Sequence, residues 1–458
     1  MTGSDASVLT RRDTSYGWWV CAVLCLGFTF SYMDRALVPL LVQPMERALG
    51  LSDTTISLLQ GAAFAIFYSL FGFPLARRAD NGNRRNLIVF GVIFWCTATI
   101  CCGLAQTVTE LFLARICVAI GEAVLQPAAV SILADYFSPS RRTMVLSVYS
   151  MSVYFGGGLA LTLGGTLLRL IGPHGLQFGA WGQISPWRVV FVVLGAAGII
   201  LVPLLLSVRE PDRHSDLGGV THRASTLADL ASEFGKKRAA LSCTILGFAT
   251  LAMAATTMQA WTPTLFVRVD GWTPGRIGQV LGPLTLICGP LGALTGAALA
   301  NRLQRAGRAD AKLLVGLFSA SAGVAMSYLV TVLPPMQAVV TIAILTFLIG
   351  FNFGLIQAAL TELLPNRMRA VASATFIAAS NLLSATLGPL LVGILNDHIF
   401  HDPMMIAVSL RIVAPCAFGL AAVILLIGLR PYRLVVAERT AGSTVSPSGP
   451  SGREEVLQ

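Results

Sequence analysis

Residues 17–42 read GWWVCAVLCLGFTFSYMDRALVPLLV. The stretch is long and apolar enough to cross a bilayer, which takes about 20 mostly apolar residues. Asp34 and Arg35 nevertheless stand side by side within it. An ionised side chain at the centre of a membrane helix costs roughly 2.5 to 3.5 kcal/mol on insertion scales. The stretch therefore predicts a spanning helix, and it also demands partners for its charges.

The rest of the chain repeats the apolar pattern. Of 458 residues, 55% are hydrophobic and only 12% charged, and the mean hydropathy is +0.73. Eleven further stretches qualify as spans: 55–76, 86–105, 110–134, 143–169, 187–207, 240–266, 277–300, 312–333, 337–362, 371–396 and 412–430. The expected fold is an all-α integral membrane protein with twelve transmembrane helices. The longest interior polar segment follows the sixth span and divides them into two six-helix halves. The predicted organisation is a tail at 1–16, a first bundle at 17–208, a linker at 209–239, a second bundle at 240–432 and a disordered tail at 433–458.

Lys and Arg total 32 against 22 Asp and Glu, a balance that in a soluble chain would suggest nucleic acid. Here the basic residues crowd one side. With the N-terminus placed inside, the outer loops hold only Arg47, Arg169, Arg268, Arg276 and Arg411. This is the positive-inside pattern. It predicts a multi-pass protein of the cell's inner (plasma) membrane with both termini cytoplasmic, and it leaves a nucleic-acid partner no role. The first apolar stretch is too long for a signal-peptide core and lacks a small-residue cleavage site, so no cleavable leader is expected. The nine cysteines fall in predicted spans without metal-type spacing and read as small packing residues.

The halves echo one another. Ala79-Asp80-Asn81 after the second span matches Ala300-Asn301-Arg302 after the eighth, and Pro139-Ser140-Arg141-Arg142 after the fourth matches Pro365-Asn366-Arg367-Met368-Arg369 after the tenth. Matches at equivalent points of two six-helix units are what a parallel repeat predicts. Gly156-Gly157-Gly158 and Gly164-Gly165 in the fifth span allow close helix contact, which suits either plain packing or gating.

Neighbours on a helix lie about 100° apart and do not face each other, so Asp34 and Arg35 each need a partner on another helix. Only the fourth span, with Arg115 and Glu122, carries other charges deep inside. These two lie about 10 Å apart along one helix face, at the depth of Asp34 and Arg35. Asp34 with Arg115 and Arg35 with Glu122 are the natural pairs. Such pairs can be inert bridges, but buried ion pairs are poor stabilisers, and intramembrane ionisable groups commonly mark substrate or proton pathways.

On these residues the chain resembles the major facilitator superfamily over nearly its whole length. The loop ARRADNGNRR, residues 76–85, is similar to the superfamily's loop after helix two: Ala76 takes the first glycine position, Asp80 the aspartate, Asn83 the second glycine and Arg84-Arg85 the basic pair, while Asn81 departs from the usual arginine. The resemblance implies an inner gate holding the inward ends of the halves together. Its expected members are Asp80, Arg84, Arg85, Asp135 and Arg142.

Within the superfamily the chain looks most like the Spinster family, through Asp34-Arg35, Asn83-Arg84, Arg115 with Gly121-Glu122-Ala123, Pro127, and Ala134-Asp135-Tyr136-Phe137. The anion:cation symporters share Asp-Arg and Arg with Gly-Glu-Ala. The Spinster resemblance implies alternating-access transport of an amphiphilic or anionic lysolipid or sphingoid-like cargo by a secondary transporter, with proton coupling in the family's manner. Arg35 and Arg115 would then bind the cargo's phosphate or carboxylate. Glu122 and Asp34 would carry the proton, their occupancy set by burial and by the nearby arginines.

Gln259, Trp261, Asn352, Gln357 and Asn381 in the second half are candidate cavity residues, although interhelical hydrogen bonding also explains each. Asn396 to Asp402, with His398 and His401, reads as a solvated outer loop rather than a metal site. No phosphate-binding loop is present, and no nucleophile, base and metal set suggests an enzyme. No cofactor or metal is expected, and the chain should act as a monomer whose partners are cargo, protons and the lipid bilayer. Two readings stay open beside the first: a small organic anion symporter, and a membrane receptor or sensor that does not transport.

Overall fold

The computed structural model describes residues 14–172, 174–177, 183–211, 235, 237–364, 372, 375–377 and 380–444. Among the described residues, twelve helices are long and apolar enough to cross a membrane: α1 Ser15–Leu49, α2 Asp53–Ala79, α3 Arg84–Leu104, α4 Val108–Tyr136, α5 Ser140–Ile171, α6 Pro186–Leu206, α7 Arg238–Arg268, α8 Pro274–Arg305, α9 Ala311–Val330, α10 Pro335–Leu363, α11 Thr375–Phe400 and α12 Pro403–Glu438. A two-residue antiparallel pair, β1 Leu176–Gln177 and β2 Gln183–Ile184, lies between α5 and α6. Most of the segment joining the halves, and Pro365 to Arg369 in the proposed repeat, lie outside the described residues.

Helix boundaries follow local chemistry. Thr14 caps α1 by accepting from the Gly17 amide, and the helix ends at Gly50, whose φ of 65° suits a residue without Cβ. It runs through Pro39 and Pro44 to Leu49, beyond the expected end at residue 42, because membrane helices tolerate proline where neighbours satisfy the freed carbonyls. The last helix corrects a second expectation. It continues to Thr444 instead of giving way to a tail at 433, since Leu, Ala, Glu and Arg in this stretch favour helix.

Three irregularities bear on function. In α4 the helix is interrupted at Ala123 and Val124, directly after Glu122; Pro127 has no N–H to offer the Ala123 carbonyl. In α2, residues Leu58–Ala62 form a π-helical turn, and Leu382–Leu387 of α11 form another. The two turns meet across the halves, where a Cβ on Gly61 would run into the Ala385 carbonyl.

Helices α1–α6 and α7–α12 form the two halves, and α5 runs along α8 of the other half. Glycine makes that approach possible. A Cβ on Gly165 would lie 2.8 Å from Gly278 Cα, and one on Gly158 would lie 2.9 Å from the Gly282 carbonyl oxygen. Backbone cannot yield there as a flexible side chain can. Gly165→Val should force the halves apart at this seam. Overpacking of this kind costs about 1–3 kcal/mol, to be seen as a lower thermal midpoint and faster amide exchange in 160–170 and 274–284.

Helix pairs that join the halves include α1 with α7, α1 with α8, α2 with α11 and α5 with α8. The Ser57 hydroxyl of α2 donates to the Pro389 carbonyl of α11 at 2.9 Å. On the terminal face, the ion pairs of Arg84 and of Lys312 each lie within one half.

Candidate functional site

The four intramembrane charges form two pairs of different character. Arg115 Nη1 lies 2.5 Å from Asp34 Oδ2, and Thr99 Oγ1 donates to Asp34 Oδ1 at 3.0 Å. Arg115 and Asp34 are only 1% and 2% exposed. Both Asp34 oxygens are thus held, and the pair is sealed in the first half.

The other pair borders open space. Arg35 Nε lies 2.7 Å from Glu122 Oε2, which also accepts from Ser31 Oγ at 2.7 Å. Glu122 Oε1 is buried without a hydrogen-bond partner. The Arg35 guanidinium carbon sits 4.4 Å from the Phe64 ring centroid and 4.6 Å from that of Tyr68, positions that favour a cation on an aromatic face. With 24% of its side chain exposed, Arg35 reaches the cavity. Phe64 stands between the pairs, with Arg115 at 5.7 Å from the same ring.

The cavity, about 290 Å³, lies between the halves. Arg35, Gln60, Tyr68 and Tyr154 line it from the first half, and Gln259 and Asn381 from the second. Apolar residues such as Leu345 and Ile349 complete the second wall. A guanidinium on one side and hydrocarbon on the other suits an amphiphile whose polar end is anionic or rich in acceptors.

Several expectations need correction. Arg115 is not on the cavity wall, because its ion pair with Asp34 and the Phe64 ring shut it away. Trp261 is fully buried and donates through Nε1 to the Pro389 carbonyl at 3.0 Å, so it holds α7 to α11. Asn352 donates to Ser319 Oγ at 2.7 Å within the second half, and neither it nor half-buried Gln357 lines the cavity. Gln60, Tyr68 and Tyr154 were missed, since half-polar side chains in an apolar helix carry no sequence signal of which way they face.

The expected inner gate behaves as an intra-half brace. Arg84, at the start of α3, bonds Asp135 at 2.5 Å, Glu210 at 2.7 Å and Ser131 at 2.8 Å. Arg85 donates its backbone amide to Glu210 at 2.9 Å, and Arg142 bonds the Phe137 carbonyl at 3.2 Å. The Asp80 side chain lies outside the described residues. Arg84, Arg85 and Arg142 thus find these partners within the first half.

The second half repeats the brace: Lys312, at the start of α9, pairs with Glu362 near the end of α10. Beside it, Asp310 accepts from Arg433 at 2.6 Å and Arg308 at 3.2 Å. Burial pushes the Asp310 carboxyl up, but hydrogen bonds from Arg433 and then Arg308 outweigh it and hold the group below its ordinary range.

On the closed face, Arg268 of α7 bridges Glu46 of α1 and Asp53 of α2. Asn396 and Asp397 of α11 join the same cluster, which corrects the reading of 396–402 as a solvated loop. His398 and His401 do remain exposed.

A sequence model of the Major Facilitator Superfamily matches residues 24–389. An MFS-type efflux pump of Mycolicibacterium smegmatis is 29% identical over 414 residues, spanning 88% of this chain and 90% of that protein. The human protein spinster homolog 1 is 26% identical over 405 residues, 83% of this chain and 73% of the relative. The crystal structure of a bacterial homologue of the human lysosomal transporter Spinster, inward-facing and unoccupied, superposes with a TM-score of 0.75 at 27% identity, covering 93% of this chain and 98% of that one.

Proposed function

This chain belongs to the Major Facilitator Superfamily and is a Spinster-like membrane transporter, not an enzyme; from that premise we propose that it moves an anionic amphiphile of lysolipid or sphingoid type by proton-coupled alternating access. We place it in the plasma membrane as a monomer with both termini cytoplasmic, so that the closed face is the outer one and the cavity opens inward.

The observation that carries the proposal is the contrast between the two ion pairs. Asp34 is saturated by Arg115 and Thr99. Glu122 keeps one buried oxygen bare while its partner arginine faces the cavity. A bare, buried carboxylate oxygen is a natural proton acceptor, since the charged form lacks full solvation there. We therefore assign the coupling proton to Glu122 and make Asp34 a fixed counter-ion that positions α4.

Protonation of Glu122 removes the negative partner of Arg35. The guanidinium, still held by Phe64 and Tyr68, then takes a phosphate or carboxylate of the cargo through two N–H donors. Rocking of the halves carries the cargo to the other face. Loss of the proton there restores the Arg35–Glu122 pair and displaces the anion.

The cavity's modest volume favours a small organic anion as the second reading. Thermal shift of the purified protein against lysophospholipids, sphingoid lipids and small carboxylates separates the two. Saturable stabilisation by an anionic lysolipid, lost in Arg35→Gln, is the expected result. Stabilisation by small carboxylates alone would replace the cargo assignment. Wild-type responses in Arg35→Gln would remove Arg35 from the site.

A further inference from the structure

On the closed face, remote from the cavity, one guanidinium serves two carboxylates across the halves. Arg268 Nη2 lies 2.9 Å from both oxygens of Glu46 and 2.5 Å from Asp53 Oδ1. Its Nη1 lies 2.7 Å from Asp53 Oδ2 and 2.8 Å from the Pro403 carbonyl. The side chains of Arg268, Glu46 and Asp53 are 6%, 12% and 2% exposed. Gln43 donates to Glu46 at 2.5 Å, and Asn396 to Asp53 at 2.6 Å.

We propose that this clasp is a second proton-binding site, in which Glu46 and Asp53 take up one proton between them as the two halves close on this face and release it when the face opens. The proposal rests on alternating access, and not on the cargo or on a proton at Glu122.

The reason is charge. Arg268 can neutralise only one of two carboxylates drawn into a dry interface, and like charges at one site make the second ionisation unfavourable. Among the described residues, the surroundings supply no further cation to the pair. On α1, Arg47 is exposed. On α11, Asp397 adds another carboxylate, which accepts from the backbone amides of Asp53 at 3.3 Å and Thr54 at 2.7 Å; the positive end of α2 accounts for that charge. His401 bonds the Asp397 carbonyl, and His398 is exposed. At the start of α12, Asp402 accepts from the Met404 amide. Asp270 follows α7, and Arg276 of α8 is held over the Trp272 ring at 3.9 Å.

Every cross-half ligand of the clasp comes from α7, α11 or α12, whereas Glu46 and Asp53 come from α1 and α2. Opening this face must therefore separate the carboxylates from Arg268 and return them to water, where both ionise. A state that binds more protons is favoured as pH falls. Acid on this face thus favours closing it, and so favours release toward the terminal face.

Hydrogen exchange measured by mass spectrometry tests this on the full chain from pH 5.5 to 8.5, with labelling times scaled to the intrinsic rate. In the native protein, peptides covering 46–60 and 394–404 should lose protection several-fold as pH rises. In Glu46→Gln, whose amide mimics the protonated carboxyl, they should stay protected and flat with pH. His398→Gln, at an exposed position on the same face, should keep the native response. Asp53→Asn is the second variant, and should also flatten the curve. A native profile without pH dependence would overturn the proposal. So would a native-like slope in both clasp variants, or a slope abolished only by His398→Gln.

Discussion

Glu122→Gln is expected to leave a folded, cargo-binding protein whose uptake driven by an imposed pH gradient falls to the level of protein-free vesicles. Glutamine keeps the shape of the side chain and can still meet Ser31, so packing around it survives. It cannot gain or lose a proton, and it leaves the Arg35 guanidinium without its carboxylate. Cargo can then bind in either orientation of the cavity, so exchange of labelled for unlabelled cargo across the membrane should persist. Proteoliposomes assayed for both gradient-driven uptake and counterflow measure the two together. Gradient-driven uptake at native rates would remove Glu122 from coupling. Loss of counterflow as well would mark it as a residue needed for binding or movement itself.

Arg115→Ala should be the most destabilising single change in the first half. It strips the partner from Asp34, which is 2% exposed and retains only Thr99. Removing one member of a buried ion pair costs on the order of 3–5 kcal/mol, because an uncompensated charge stays behind. The measurement is the thermal midpoint and folded yield in detergent. Arg115→Leu combined with Asp34→Leu should recover much of the loss, since replacing both partners removes the orphaned charge. If Arg115→Ala instead kept native stability but lost cargo binding, the pair would be a cargo site after all.

The seam between α5 and α8 explains why the tandem glycines admitted two readings. Close approach is visible in GGG and GG, yet sequence does not say whether the neighbour belongs to the same half. The structure supplies Gly278 and Gly282 of the other half, and the stripe thereby becomes part of what joins the two bundles. Arg268 teaches the same lesson in reverse. As a sequence symbol it was one of a few basic residues on the outer side, useful for topology. Only folding brings it against Glu46 and Asp53, far away along the chain.

The sequence by itself determined the twelve spans, their division into two halves, the family, and the four intramembrane charges with their partners. Those properties are local or nearly so: hydrocarbon thickness fixes the length of a span, and the cost of burying charge makes each one conspicuous and in need of a mate. The tertiary structure decided which pair meets the cavity, that Trp261 and Asn352 support helices instead of lining it, and that the closed face is held by Arg268. These depend on helix rotation and on contacts between distant segments. Periodicity in an apolar helix does not encode them, because lipid and protein neighbours are both hydrocarbon and leave the same pattern on the chain.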